Sequence, residues 1–144
     1  MTNRIAAAND ALYDLLEETF ADVATLFRNP DGQREFGSAE IVVSMDDDDE
    51  AEVLRVLTGP FYDLKLTPVV TLARKALEGL RREDAWAAVD LIRDALAADV
   101  TLGGVVEDAR IEMSETAQMD RARWLGGGVD LSIRLLFAAP SPAG

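Results

Sequence analysis

The side chains of this chain that could perform chemistry are mostly carboxylates, and five of them are consecutive. They follow a β-branched segment and comprise Asp46, Asp47, Asp48, Asp49 and Glu50. Two aspartates separated by one residue can share a Mg²⁺ or Mn²⁺ ion, because hard divalent cations prefer carboxylate oxygens. Asp46 and Asp48 have that spacing, so a divalent-cation site is the first chemical hypothesis to weigh.

The surroundings of the acidic run argue against that hypothesis. The spacing matches the Asp-x-Asp of some glycosyl and phosphoryl transferases, but no base and no sugar-binding glycine-rich loop accompany it. Gly126-Gly127-Gly128 lacks the Lys-Ser/Thr of a phosphate loop, and Ala51 stands where an EF-hand needs glycine. The absence of His and Cys removes the commonest general base and all thiolate chemistry. We therefore expect no catalytic residue, no cofactor, no metal site and no enzyme activity, with a small transferase using Asp46 and Asp48 as a distant alternative.

The acidic run then has two remaining interpretations, a solvated loop or an electrostatic surface that also includes Glu52. The whole chain is acidic, with 27 Asp and Glu against 14 Lys and Arg and a net charge of −13. Such a surface repels a phosphate backbone, so specific DNA binding is not expected. Twelve of the 14 cations are Arg, which suits bidentate ion pairs across interfaces, although a coding bias would give the same composition.

The elements that must position these residues follow from the hydrophobic pattern. A helix over residues 84–99 is the centre of the chain, with Asp84 as its N-cap and Leu102-Gly103-Gly104 as its stop. Its apolar stripe comprises Ala85, Ala88, Val89, Ile92, Ala95 and Leu96. A second helix begins near Arg4, capped by Thr2 or Asn3, and ends near Phe20.

Strands are predicted over residues 22–28, 39–45, 52–58, 61–73, 105–114 and 128–137. Two alternatives stay open: the first helix continues to Phe27, or Thr67-Pro68 caps a helix that runs to Leu80. In the preferred reading, Pro68 lies on an edge strand or at a bulge. The pattern predicts one α+β domain over residues 1–144, with a mainly antiparallel sheet of about five to six strands and both helices on one face. A flexible tail is expected from about residue 138.

Two regions are candidates for a subunit interface. Trp86 lies about 100° from the centre of the apolar stripe and shares that side of the helix with Asp90 and Arg93. Large aromatic residues outside the core face are enriched at interfaces. The long loop over residues 115–127 carries Arg121, Arg123 and Trp124. The alternatives are that Trp86 covers a neighbouring loop and that residues 115–127 pack back onto their own domain.

The order of these elements resembles the tail terminator proteins of long-tailed bacteriophages, the lambda minor tail protein U type and its relatives. The N-terminal helix with Ile5, Leu12 and Leu15 carries the resemblance, together with the strand over residues 62–71. The helix that leads into Thr101-Leu102-Gly103-Gly104 and the closing strand after Gly128 continue it. The similarity covers nearly the whole chain and lies in pattern more than in motif, and the acidic run has no counterpart in it.

The resemblance implies an α+β subunit of a non-enzymatic, hexameric ring. Such a ring caps the finished tail tube and later joins it to the head, so its expected partners are other copies, the tail tube protein and the connector or stopper proteins of the neck. The resemblance also implies that DNA only passes through the ring, that no membrane is involved, and that the protein would be assembled into the virion in the bacterial cytoplasm. Another neck or head-completion protein is the alternative. In such a ring, arginines would serve subunit contacts, and the channel or rim would carry the acidic residues Asp46, Asp47, Asp48, Asp49, Glu50 and Glu52.

Overall fold

The computed structural model describes residues 3–29, 41–59, 61–74, 82–112 and 129–144. These residues form two helices and seven strands, and the predicted α+β class is confirmed, with seven strands instead of five to six. The elements are α1 (Arg4–Phe20), β1 (Ala24–Arg28), β2 (Ile41–Asp46), β3 (Glu52–Leu57), β4 (Phe61–Leu66), β5 (Val69–Arg74), α2 (Arg82–Ala98), β6 (Asp108–Ile111) and β7 (Val129–Ala139). Neither helix is long and apolar enough to cross a membrane within the described ranges.

Helix α1 has the predicted bounds because its signals are local. The side chain of Asn3 accepts hydrogen bonds from the backbone N–H groups of Ile5 and Ala6, at 2.9 and 3.1 Å. The residues at helical spacing that face the core are Ile5, Ala8, Leu12, Leu16 and Phe20. The helix ends at Phe20 and β1 follows after a three-residue turn, so the alternative of a helix to Phe27 is wrong.

Helix α2 begins at Arg82, so Asp84 lies inside the helix, and the prediction that Asp84 is its N-cap is wrong. Of the stripe residues whose side chains are described, Ala88, Val89, Ile92 and Leu96 are at most 3% exposed, as predicted, and Ala95 is half-buried. The chain turns after Ala98, and Leu102, Gly103 and Gly104 all have positive φ angles, of 49°, 71° and 89°. Glycine adopts this backbone conformation without a steric penalty, so Gly103 and Gly104 suit the turn that follows the helix.

Strand β7 is the centre of the sheet. One of its edges pairs antiparallel with β4 and β5 in a single register, with Leu66 opposite Leu135 and Val69 opposite Ser132. Strand β6 pairs with the opposite edge. Pro68 separates β4 from β5 because it has no N–H to donate, although its carbonyl still accepts from the Ile133 N–H at 2.9 Å. The predicted strand over residues 61–73 is therefore two strands, and the alternative of a helix after Thr67 is wrong as far as residue 74.

Strands β2 and β3 lie along the far side of β5 and β4. Strand β2 pairs antiparallel with β5, with Asp46 opposite Val69. Strand β3 pairs antiparallel with β4, with Glu52 opposite Lys65. Residues 47–51 loop out at the level where Thr67 and Pro68 interrupt the neighbouring strand. Strand β1 covers the outer edge of β2 in parallel, as the one parallel pairing among the described strands. The outer edge of β3 is not paired with any strand of the described ranges.

Both helices contribute to one hydrophobic core on one face of the sheet, as predicted. The strands supply alternate side chains to it, including Val43, Met45, Leu64, Val70 and Ile133. The other face is polar along β7, where half-buried Asp130, Ser132 and Arg134 alternate with the core residues.

Two predictions near the C-terminal half of the chain are corrected by the structure. Strand β6 is confined to Asp108–Ile111, because residues 101–107 are turns, so the predicted bounds of 105–114 were too wide. The tail prediction is wrong for residues 138 and 139, since β7 runs to Ala139, which is fully buried. The Asn3 side chain also donates to the carbonyl of Ala143 at 2.8 Å, which joins the chain end to the start of α1.

Candidate functional site

The acidic run lies between β2 and β3, beside the break between β4 and β5. Asp46 ends β2, and the loop proper begins at Asp47. The carboxylate of Asp48 accepts hydrogen bonds from the backbone N–H groups of Thr67 and Glu50, at 2.8 and 3.1 Å. Thr67 N–H lies beside the strand break at Pro68, so Asp48 provides an acceptor where the regular strand is interrupted.

Asn9 holds this loop against helix α1 and is 1% exposed. Its side-chain amide donates to the carbonyls of Asp48 and Ile5, at 3.0 and 3.1 Å. Its oxygen accepts from the backbone N–H of Asp48 at 3.3 Å. A buried amide with these three partners is satisfied, and it fixes the loop position relative to the helix.

Arg28, at the end of β1, neutralises the first acid of the loop. Its guanidinium donates to both carboxylate oxygens of Asp47, at 3.1 and 2.8 Å, and to Asp10 at 2.7 Å. It also lies 5.3 Å from the ring centroid of Tyr13. The hydrogen bond to Asp47 is the main reason that the pKa of Arg28 is raised, while burial raises the pKa of Tyr13. The guanidinium therefore connects β1, α1 and the acidic loop.

The run of five acids is thus not uniformly solvated, which corrects the interpretation of the whole run as a solvated loop. The side chain of Asp47 is only 13% exposed, and both oxygens of Asp48 accept from backbone N–H groups. The carboxylates that remain exposed are Asp46, Asp49, Glu50 and Glu52. Within the described residues no group of three or more acidic, His or Cys side chains is placed to hold a metal ion.

This arrangement predicts unequal effects for two neighbouring aspartates. Replacing Asp48 with alanine leaves the Thr67 N–H without its acceptor, so we expect a loss of about 1–3 kcal/mol in the free energy of unfolding. Asp49 is exposed, and its replacement with alanine should change that free energy by less than about 0.5 kcal/mol. Urea unfolding of both variants measures the difference, and equal effects would contradict the bridging role of Asp48.

The predicted interface on α2 is partly described. Trp86 is half-buried, while Asp90 and Arg93 are exposed and form an ion pair of 3.1 Å along the helix. The other three predicted interface residues, Arg121, Arg123 and Trp124, lie outside the described residues. The structure therefore places one side of α2 at the surface, as the helical pattern predicts.

Sequence reasoning missed a second exposed apolar surface, here named the β3 edge: Val53, Leu54, Val56 and Phe61. These side chains are 41%, 49%, 66% and 40% exposed, although the apolar pattern of β3 is typical of a buried strand. The charged residues Glu52 and Arg55 within this short strand were the available signal, because edge strands commonly carry charges.

The opposite side of the sheet ends in β6 and carries a cluster of ion pairs. Arg110 donates to Asp108 at 3.0 Å, and a guanidinium nitrogen of Arg134 lies 3.6 Å from the same carboxylate. Lys65 forms an ion pair with Glu112 at 2.5 Å on this polar face. The Nε atom of Arg134 is buried and has no hydrogen-bond partner among the residues that the structure describes. The β6 side of the sheet is thus charged, whereas the β3 edge is mainly apolar.

A scan against models of known protein families finds no match for this chain, and a search of curated proteins finds no relative.

Proposed function

We propose that this chain is a non-enzymatic structural protein of a phage or phage-like particle, a tail terminator whose copies form a ring. The ring would cap the tail tube and join it to the neck of the head. The proposal combines the resemblance in element order with a fold that has exposed surfaces suited to assembly. It places the function in surfaces between subunits and assigns no catalytic residue.

The single observation that supports assembly best is the β3 edge. A strand that has one unpaired edge and exposed apolar side chains is an aggregation hazard in a monomer, and natural edges of this kind are normally shortened, covered or charged. Val56 on this strand is 66% exposed and Leu54 is 49% exposed. Covering such an edge with another subunit removes apolar surface from water and supplies partners to the open backbone groups.

The acidic surface fits a ring through which DNA passes. Six copies at −13 each would carry a formal charge of about −78. A negative wall repels phosphate groups and lets DNA pass without binding. In this proposal the exposed acids Asp46, Asp49 and Glu50 lie on the channel or rim, and arginines serve subunit contacts.

Negative-stain microscopy of the purified protein tests the proposal. We expect rings with a central channel and no turnover of nucleotide sugars in the presence of Mn²⁺. A monomer that cleaves a nucleotide sugar in a Mn²⁺-dependent reaction, and loses that activity in Asp46→Asn, would contradict it and support a transferase.

Replacing Trp86 tests whether its side chain belongs to a subunit interface or to the core of the monomer. Because its side chain is half-buried on α2, Trp86→Ala should weaken assembly while the melting temperature of the monomer changes by only a few degrees. Leu91→Ala is the matched control, since Leu91 is 42% exposed and lies about 140° away on the same helix. A loss of about 3–5 kcal/mol in monomer stability for Trp86→Ala would assign Trp86 to the core instead.

A further inference from the structure

We propose that neighbouring copies join through β3 of one copy and β6 of the next, paired antiparallel so that the sheet continues from subunit to subunit. This inference rests on the proposed ring and identifies its interface. The occupant of the β3 edge is therefore a second copy of this chain.

The topology places these two strands on opposite sides of the sheet. Residues 135 and 136 of β7 pair with both β4 and β6, so β4 and β6 flank opposite edges of β7, and β3 lies beyond β4. Each of these pairings is antiparallel, so β3 and β6 run in opposite directions. A second copy in the same orientation brings its β6 antiparallel to β3, which is the more stable type of ladder. Such a contact joins two different surfaces, and contacts of that kind generate rings when the rotation closes.

The backbone of β6 has groups available for this pairing. Glu112 N–H donates to the carbonyl of Ser132 at 2.8 Å, on the side that faces β7. Backbone groups alternate in direction along an antiparallel strand, so those of Ala109 and Ile111 point towards the open edge. No strand in the described ranges pairs with that edge or with the outer edge of β3. A neighbouring β3 would complete the ladder.

The charges of the two strands are complementary in one register. In β3, a bulge at Leu54 lets Glu52 and Arg55 lie opposite Lys65 and Asp63, which are two residues apart in β4. If Glu52 faces Arg110 of the next copy, the same register places Arg55 opposite Asp108. Both contacts then join opposite charges. The side chains of Arg55 and Arg110 are 71% and 66% exposed, and Glu52 is exposed without an ion pair among the described residues.

The apolar side chains agree with this register. Val53 is opposite Leu64, whose side chain is in the core, so Val53 lies on the helix side of the sheet. Val56, opposite Tyr62, lies on the same side. In the proposed pairing, Val53 lies opposite Ala109 of the neighbour, and Val56 lies opposite Glu107, in the turn that precedes β6, where Val105 is 41% exposed. Apolar surface on both partners would be removed from water together.

A charge-exchange experiment tests the interface. Glu52→Arg and Arg110→Glu each place like charges opposite one another, so we expect each to raise the concentration at which rings dissociate by about tenfold or more. The double variant exchanges the two charges and should return to within about threefold of the wild type. An equimolar mixture of the single variants should also form rings, since alternating copies restore every contact. Glu18→Arg, which makes the same charge change as Glu52→Arg but on the exposed side of α1, is the control for that variant and should not weaken the ring.

The outcomes separate this inference from the proposed function. A wild type that stays monomeric at every concentration contradicts the ring itself. Wild-type rings that both single variants leave intact contradict only the β3–β6 interface. Loss of rings in Glu52→Arg but not in Arg110→Glu would indicate that β3 pairs with β3 and would overturn the inference. Loss in both singles without rescue in the double variant would overturn it as well, and circular dichroism melting shows whether each variant is folded.

Discussion

Replacing Arg28 with methionine is expected to lower the free energy of unfolding by about 3 kcal/mol. The change removes a bidentate pair with Asp47 and a hydrogen bond to Asp10, while the methionine retains much of the apolar stem. The Asp47 side chain is 13% exposed, so its charge would remain largely desolvated without a partner. Loss of one partner of a buried pair typically costs about 3–5 kcal/mol, and the partial exposure of Arg28 lowers that figure.

Arg55→Met is the matched control for this measurement. Arg55 also forms a cross-strand pair, with Asp63, but its side chain is 71% exposed. Exposed pairs contribute about 0–1 kcal/mol, so Arg55→Met should have a small effect. Urea unfolding of both variants under conditions where the protein is monomeric gives the comparison. Equal small losses would show that the Arg28 pair is no stronger than a surface pair.

Ring formation is expected to strengthen with salt, with a dissociation midpoint that falls by about tenfold between about 0.1 M and 1 M monovalent salt. Each copy carries −13, so copies repel over long distances. The Debye length shortens from about 10 Å to about 3 Å over this range, which screens that repulsion. The few ion pairs proposed between β3 and β6 are in close contact and are screened less.

Sedimentation velocity across a salt series measures this dependence. Glu18→Arg, which makes each copy less negative by two charges, should show a smaller change with salt than the wild type. A ring that forms best at low salt and dissociates as salt rises would mean that attractive ion pairs dominate, and this explanation of the acidic charge would be wrong.

The helices could be predicted because their signals lie within a few residues of each other. The side chain of Asn3 caps the backbone N–H groups of Ile5 and Ala6, and the apolar stripe of α2 repeats within one helix. Most strands could likewise be found from β-branched runs and turn residues. The division at Pro68 was only partly predicted, because whether a proline bends, breaks or ends a strand depends on the neighbouring strand.

The candidate site was harder to predict because its contacts join distant segments. Asn9 and Asp48 are 39 residues apart, and Arg28 and Asp47 are 19 apart. A run of like charges predicts repulsion and solvation, but the sequence does not reveal which donors the fold brings to it. The apolar pattern of β3 indicates a strand without indicating which of its edges stays open.

Size-exclusion chromatography with light scattering, over a range of protein concentrations at moderate salt, tests the ring most directly. We expect a concentration-dependent species of six copies of 15.6 kDa each, about 94 kDa in total. A mass of 15.6 kDa at every concentration would contradict the proposal that this chain functions as a ring.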